Sequence, residues 1–96
     1  MRIEFHPAAG RELTDSVEYY DSRLPGLGAD FLGEFRRSLD LIDKNPEIGA
    51  VVEAPYRRVV LNRFPFSVVY RLKGPTLRIV AVAHQYRKPG YWRGRA

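Results

Sequence analysis

The spacing of the apolar residues changes halfway along this chain, and this change restricts the possible folds more than any other feature. In the first half, apolar side chains recur at helical steps of four, three and four, at Leu13, Val17, Tyr20 and Leu24. That spacing places them on one face of a helix. In the second half, the apolar residues form short runs rich in β-branched and aromatic side chains, which are typical of strands. The pattern therefore predicts an α+β fold.

The first half contains one predicted strand and two predicted helices. Charged and apolar residues alternate over residues 2–5, which indicates a short N-terminal strand. Pro7 suits the first turn of the helix that follows. The segment RLPGLG, residues 23–28, combines a proline with two glycines and predicts the turn of an αα-hairpin. The second helix ends at Asn45, which precedes a proline, and its apolar residues are Leu27, Phe31, Phe35, Leu39 and Ile42.

The second half contains three predicted strands, residues 57–62, 66–72 and 77–83, followed by a tail. We expect them to form a three-stranded antiparallel meander that completes one sheet with the N-terminal strand. Pro89 and Gly90 interrupt the tail, and residues 91–95 are expected to form a short helical turn. A chain of 96 residues has room for one hydrophobic core, so residues 1–96 are expected to form a single domain.

The turn KGPT, residues 73–76, predicts which residues of the last two strands lie opposite each other. It places Arg71 opposite Arg78 and Val69 opposite Val80. The face toward the helices would then carry Phe66, Val68, Tyr70, Leu72, Leu77, Ile79, Ala81 and Ala83. The other face would carry Ser67, Val69, Arg71, Arg78, Val80, Val82 and His84.

This second face is unusual, because three valines at its centre have no predicted element to cover them. Two arginines also face each other across the strands, and such a like-charge pair is destabilising. An external segment that covers the valines and supplies negative charge would explain both features. The alternative is that the C-terminal tail folds back over the valines while the arginine side chains extend into water.

Charge is divided unevenly between the two halves of the chain. Residues 1–48 contain six bases and ten acids, whereas residues 49–96 contain ten bases and one acid, Glu53. The segregation predicts an anionic partner for the second half. A basic surface that only improves solubility is the alternative.

The sequence excludes several kinds of site. It has no cysteine, and its two histidines, His6 and His84, lie at no metal-binding spacing, so neither a metal nor another cofactor is expected. No apolar run is long enough to span a membrane and no signal-peptide pattern is present, so a cytoplasmic location is expected. If the protein is a catalyst, His84, Tyr86, Tyr91 and the arginines must supply the groups. This mixture of bases, His84 and tyrosines would suit metal-free RNA cleavage or, equally, electrostatic docking.

The segments RFPFSVVYR, residues 63–71, and AVAHQYRKPGYWRGR, residues 81–95, resemble those of the RelE/ParE superfamily, and the resemblance covers essentially the whole chain. These proteins are the toxins of type II toxin–antitoxin modules and are often described as plasmid stabilisation proteins. The resemblance implies a cognate antitoxin with an acidic segment that folds on binding. Together with the sheet pattern, it predicts an antitoxin contact at Val69, Arg71, Arg78, Val80 and Val82.

The two branches of this superfamily imply different activities. RelE-like toxins cut mRNA on the ribosome, and the corresponding residues here would be Arg57, Arg58, His84, Arg87 and Tyr91. Ser67 stands where that branch carries a third-strand arginine, and a hydroxyl cannot replace a phosphate-binding guanidinium. ParE-like toxins inhibit DNA gyrase by binding, and this branch is favoured, with target contacts expected from Arg87, Lys88, Tyr91, Trp92 and Arg93.

Overall fold

Five strands form one mixed sheet in the computed structural model, which describes residues 1–95, and two helices cover one face of that sheet. The elements in chain order are β1 (Arg2–Phe5), α1 (Pro7–Arg23), α2 (Leu27–Lys44), β2 (Ala50–Glu53), β3 (Tyr56–Val60), β4 (Phe66–Lys73) and β5 (Thr76–His84). The strand order is β1-β5-β4-β3-β2, with β1 parallel to β5 and the other pairs antiparallel. The predicted α+β architecture is confirmed, and β2 is an additional edge strand.

The helices form where the apolar spacing predicts them. His6 caps α1, because its Nδ1 accepts a hydrogen bond from the backbone N–H of Ala8 at 3.0 Å, and Pro7 opens the helix. The core between helices and sheet is built from Phe31, Phe35, Ile42, Phe66, Val68, Tyr70, Leu77 and Ile79. Within residues 1–95, neither helix combines the length and hydrophobicity needed to cross a membrane.

The β4–β5 hairpin closes as predicted and then departs from the predicted pairing. Gly74 and Pro75 form a two-residue loop, in which the positive φ of 60° at the first position suits glycine. Arg71 pairs with Arg78, as predicted. A bulge follows: Tyr70 still pairs with Ile79, but Val69 pairs with Ala81. The predicted pairing of Val69 with Val80 is therefore wrong, because Val80 is an extra residue in β5.

The bulge exchanges the faces of the last residues of β5, since the side chains of a strand alternate strictly. Val82 packs in the core under the helices, opposite Val68. His84 lies opposite Phe66, with the two rings 5.0 Å apart and edge to face. Ala81 and Ala83 instead join Val80 on the face that the helices leave uncovered, called here the outer face. Val82 and His84 were predicted on that face, and this assignment is wrong.

Residues 85–95, called here the tail, fold back across the outer face. The tail is a succession of turns closed by backbone hydrogen bonds three residues apart, such as Tyr91 to Lys88 and Arg95 to Trp92, and the expected helical turn is not formed. Trp92 is only 6% exposed and packs in one cluster with Val69, Val80 and Ala81. The predicted exposed strip of Val69, Val80 and Val82 is thus wrong: the tail covers two of these valines and the bulge turns the third into the core.

Candidate functional site

A basic cleft lies between the tail and the outer face of the sheet. Its volume is about 300 Å³, and the cations that line it are Arg58 of β3 and Arg87, Lys88 and Arg93 of the tail. Ser67 lies in the same cleft, so the position expected to hold an arginine in a RelE-like toxin carries a hydroxyl. This arrangement can attract an anionic group by charge.

The charges around the cleft are only partly compensated. Glu53 is its only acidic lining residue, and its Oε2 lies 2.6 Å from Nε of Arg93. Among residues 1–95, the side chains of Arg58 and Lys88 have no ion-pair partner. These two side chains are therefore available to an external anion.

Glu12 of α1 holds the other end of the tail. Its carboxylate accepts two hydrogen bonds from the Arg95 guanidinium, at 2.9 and 3.1 Å, and a third from the Tyr91 hydroxyl at 2.8 Å. The guanidinium of Arg87 lies 3.8 Å from the same carboxylate. Burial, and then the hydrogen bond to Glu12, raise the pKa of Tyr91 above its ordinary value of 10. We call Glu12 with Arg87, Tyr91 and Arg95 the Glu12 cluster.

The Glu12 cluster also completes the hydrogen bonding of the sheet edge. β1 ends at Phe5, opposite Ile79, so the next backbone groups of β5 have no neighbouring strand on that side. The backbone N–H of Val82 donates to Glu12 at 3.0 Å, and Arg95 donates to the carbonyl of Val80 at 3.1 Å. Because unpaired backbone groups are costly when buried, these contacts fix the position of the tail along the edge.

Of the five residues that RNA cleavage would require, Arg58, His84, Arg87 and Tyr91 line the cleft and Arg57 does not. Arg58 and Arg87 meet at the cleft, whereas Arg57 binds the carbonyls of Glu47 and Gly49 at 3.1 and 2.8 Å, away from the cleft. His84 borders the cleft, but its ring packs on Phe66 and its Nδ1 accepts a hydrogen bond from the backbone of Tyr86. The Tyr91 hydroxyl donates to Glu12. The predicted set is thus not assembled as one acid–base centre.

The predicted target contacts divide into two groups. Arg87, Lys88 and Arg93 are exposed, which suits a role in binding a partner. Tyr91 lies between two guanidinium groups, 3.8 Å from Arg87 and 5.0 Å from Arg95, and Trp92 is buried against Tyr56. The expectation that Trp92 lies on the tail surface is wrong, because its ring covers the apolar cluster of the outer face.

Arg71 and Arg78 remain on the outer face, at the hairpin end of the sheet. The Arg71 guanidinium lies 5.6 Å from the centre of the Tyr56 ring. Its Nε is buried and has no hydrogen-bond partner within residues 1–95.

Sequence reasoning missed Glu12, which connects the acidic half of the chain to the basic half. The sequence carried no clear signal for it, because Glu12 lies next to Leu13 of the apolar stripe of α1 just as Glu18 lies next to Val17, and Glu18 is exposed. Much of the charge segregation is neutralised within the chain. Arg57, Arg63, Arg87 and Arg95 of the second half each pair with an acid of the first half.

Comparisons with known proteins agree with this architecture. No curated protein matches the chain by sequence. A chain of the solved structure described as "Chromosomal ParDE TA system from P. aeruginosa" is similar in fold, with a TM-score of 0.75 and 19% identity over 88% of this chain and 95% of that one. Residues 3–89 match the family described as "ParE toxin of type II toxin-antitoxin system, parDE". Since that match spans nearly the whole sequence, this chain belongs to the ParE toxin family.

Proposed function

We propose that this toxin inhibits DNA gyrase by binding to it and has no catalytic centre of its own. The observation that carries the proposal is a basic tail held in place beside the cleft. The candidates for proton transfer in that cleft already make hydrogen bonds within the chain. The Tyr91 hydroxyl donates to Glu12, and Nδ1 of His84 accepts a hydrogen bond from the backbone N–H of Tyr86. Arg87, Lys88 and Arg93 are the proposed target contacts, and Tyr91 and Trp92 support them from beneath.

A cognate antitoxin, with an acidic segment that folds on the toxin, is the proposed inhibitor. The tail covers Val69 and Val80, and Val82 lies in the main core, so none of the three is available to it while the tail is in place. Its proposed contacts are therefore carboxylates bound at Arg71 and Arg78, where the Nε of Arg71 lacks an acceptor. Charge-assisted hydrogen bonds of this kind are the stronger ones in proteins. The proposed site of action is the cytoplasm.

A supercoiling assay with purified gyrase and antitoxin-free toxin tests the proposal. Lys88→Ala removes a cleft cation that has no ion-pair partner in the described part of the chain, and Lys73→Ala removes an equally exposed lysine at the hairpin, outside the cleft. We expect Lys88→Ala to weaken inhibition roughly fivefold, which corresponds to about 1 kcal/mol, the upper range for one exposed ion pair. Lys73→Ala should inhibit like the unaltered toxin.

Supercoiling that is unaffected by excess toxin would overturn the gyrase proposal. Codon-phased cuts in mRNA, mapped by primer extension after induction, would replace it with ribosome-dependent endoribonuclease activity. That alternative would rely on the four members of its predicted set that line the cleft, Arg58, His84, Arg87 and Tyr91.

A further inference from the structure

The tail is attached to the rest of the protein by contacts of different chemistry, including an exposed ion pair between Arg93 and Glu53. Trp92 packs on Val69, Val80 and Ala81, which is an apolar contact without directional preference. The Glu12 cluster is a set of directional, charge-assisted hydrogen bonds. The apolar contact favours a folded-back tail, and the Glu12 cluster is the less exposed of the two directional attachments, since the Arg93 and Glu53 side chains are 63% and 47% exposed.

The Glu12 cluster is well placed to set that orientation. The side chain of Glu12 is 16% exposed and that of Arg95 is 18% exposed, so water screens their interaction only partly. Arg95 binds the carboxylate with two parallel hydrogen bonds, which is the most orientation-specific geometry available to these groups. The backbone N–H of Val82 also donates to Oε1 of Glu12, so the Glu12 side chain is itself fixed to β5.

The carboxylate also keeps two like charges together. Arg87 and Arg95 lie 3.8 and 5.0 Å from the centre of the same Tyr91 ring. Both guanidinium groups therefore lie beside one ring in a partly desolvated site, and without a negative charge beside them they would repel each other. Glu12 is the acid that contacts both of them.

We propose that Glu12 is the positioning residue of the tail: it decides whether Arg87 and Lys88 face the cleft and whether Trp92 stays over the outer face. The functional part of this inference rests on the proposed inhibition by binding. Loss of Glu12 releases the tail while the helices and the sheet stay folded, because the main core contains no residue of the tail.

Trp92 is the only tryptophan of the chain, so its fluorescence reports the position of the tail directly. The experiment compares Glu12→Ala and Glu12→Gln with Glu18→Gln, an exposed acid of the same helix without an ion pair in the described residues. In Glu12→Ala, under native conditions, we expect a red-shifted Trp92 emission and several-fold stronger acrylamide quenching, with an unchanged far-UV circular dichroism spectrum. Glu12→Gln should lie between Glu12→Ala and the unaltered protein, since it keeps an acceptor oxygen and loses the charge. Glu18→Gln should match the unaltered protein.

A merely structural contribution of Glu12 would lower the unfolding midpoint and leave native Trp92 emission unchanged, and that result would overturn the inference. If Glu12→Ala does not fold, Arg95→Gln decides the question by the same fluorescence readout, because it removes the paired hydrogen bonds and leaves α1 intact. The gyrase assay is read separately. A released tail with unchanged inhibition contradicts the functional part alone, whereas a fixed tail in Glu12→Ala contradicts the positioning role whatever the target is.

Discussion

Replacing Trp92 by alanine should destabilise the whole domain, although only four residues of the sequence follow it. The ring is 6% exposed, and the three residues beneath it, Val69, Val80 and Ala81, are at most 2% exposed. Truncation of a buried Trp to Ala typically costs about 3–5 kcal/mol. We expect about 3 kcal/mol, at the low end, because the cluster is one layer deep and water can enter the space that the ring leaves. For a domain of this size such a loss lowers Tm by roughly 12–24 °C.

Urea denaturation followed by far-UV circular dichroism measures this loss, since the variant lacks the only tryptophan and has no intrinsic Trp signal. Tyr86→Ala is the matched control: it truncates an aromatic ring of the same tail that is 85% exposed, and it should change stability by no more than about 0.5 kcal/mol. Equal effects of the two variants, or a loss below about 1 kcal/mol for Trp92→Ala, would show that the tail does not cover the outer face in solution.

Three further predictions concern the helices. Phe35→Ala empties a position that is 1% exposed in the main core and should cost about 3–5 kcal/mol in urea unfolding. Gly28→Ala should lower the free energy of unfolding by about 1–3 kcal/mol, because an added Cβ would lie 2.6 Å from the Val17 carbonyl oxygen where the helices meet. Gly33→Ala is its control: there is room for a methyl group, so this variant should be neutral or stabilising. Burial, and then neighbouring arginines, lower the pKa of His6 below 6.5. The unfolded chain therefore binds the proton more readily than the folded protein, so the free energy of unfolding decreases as pH falls below about 6.5. His6→Asn keeps a capping side chain without that titration and should lose less stability than the unaltered protein between pH 7.5 and 5.5, about one unit either side of the ordinary histidine pKa; equal losses would contradict the assignment.

The main elements could be predicted from sequence because their determinants are local. The helical spacing of residues such as Phe31 and Phe35, and the Gly74-Pro75 turn, each act within a few residues. β2 could not be predicted, because all four of its residues are exposed and no alternation marks it. The fold-back of the tail could be named only as one of two alternatives, because Glu12 and Arg95, which hold it in place, are 83 positions apart.

The least predictable feature, the extra residue Val80, accounts for several properties of the candidate site. Its insertion places both Val80 and Ala81 on the outer face, which creates the apolar surface that Trp92 covers. It also turns Val82 into the core, so that a continuous exposed strip of valines cannot form.

The bulge lies just beyond the end of β1. On that side β5 has no further neighbouring strand, so its backbone can bind Glu12 and Arg95. The apolar surface of the outer face is therefore used within the chain, and what remains for a partner in the cleft is mainly charge, at Arg58 and Lys88. Binding that depends on such exposed cations should weaken as ionic strength rises, whereas Trp92, buried and apolar, should keep its emission over the same range of salt.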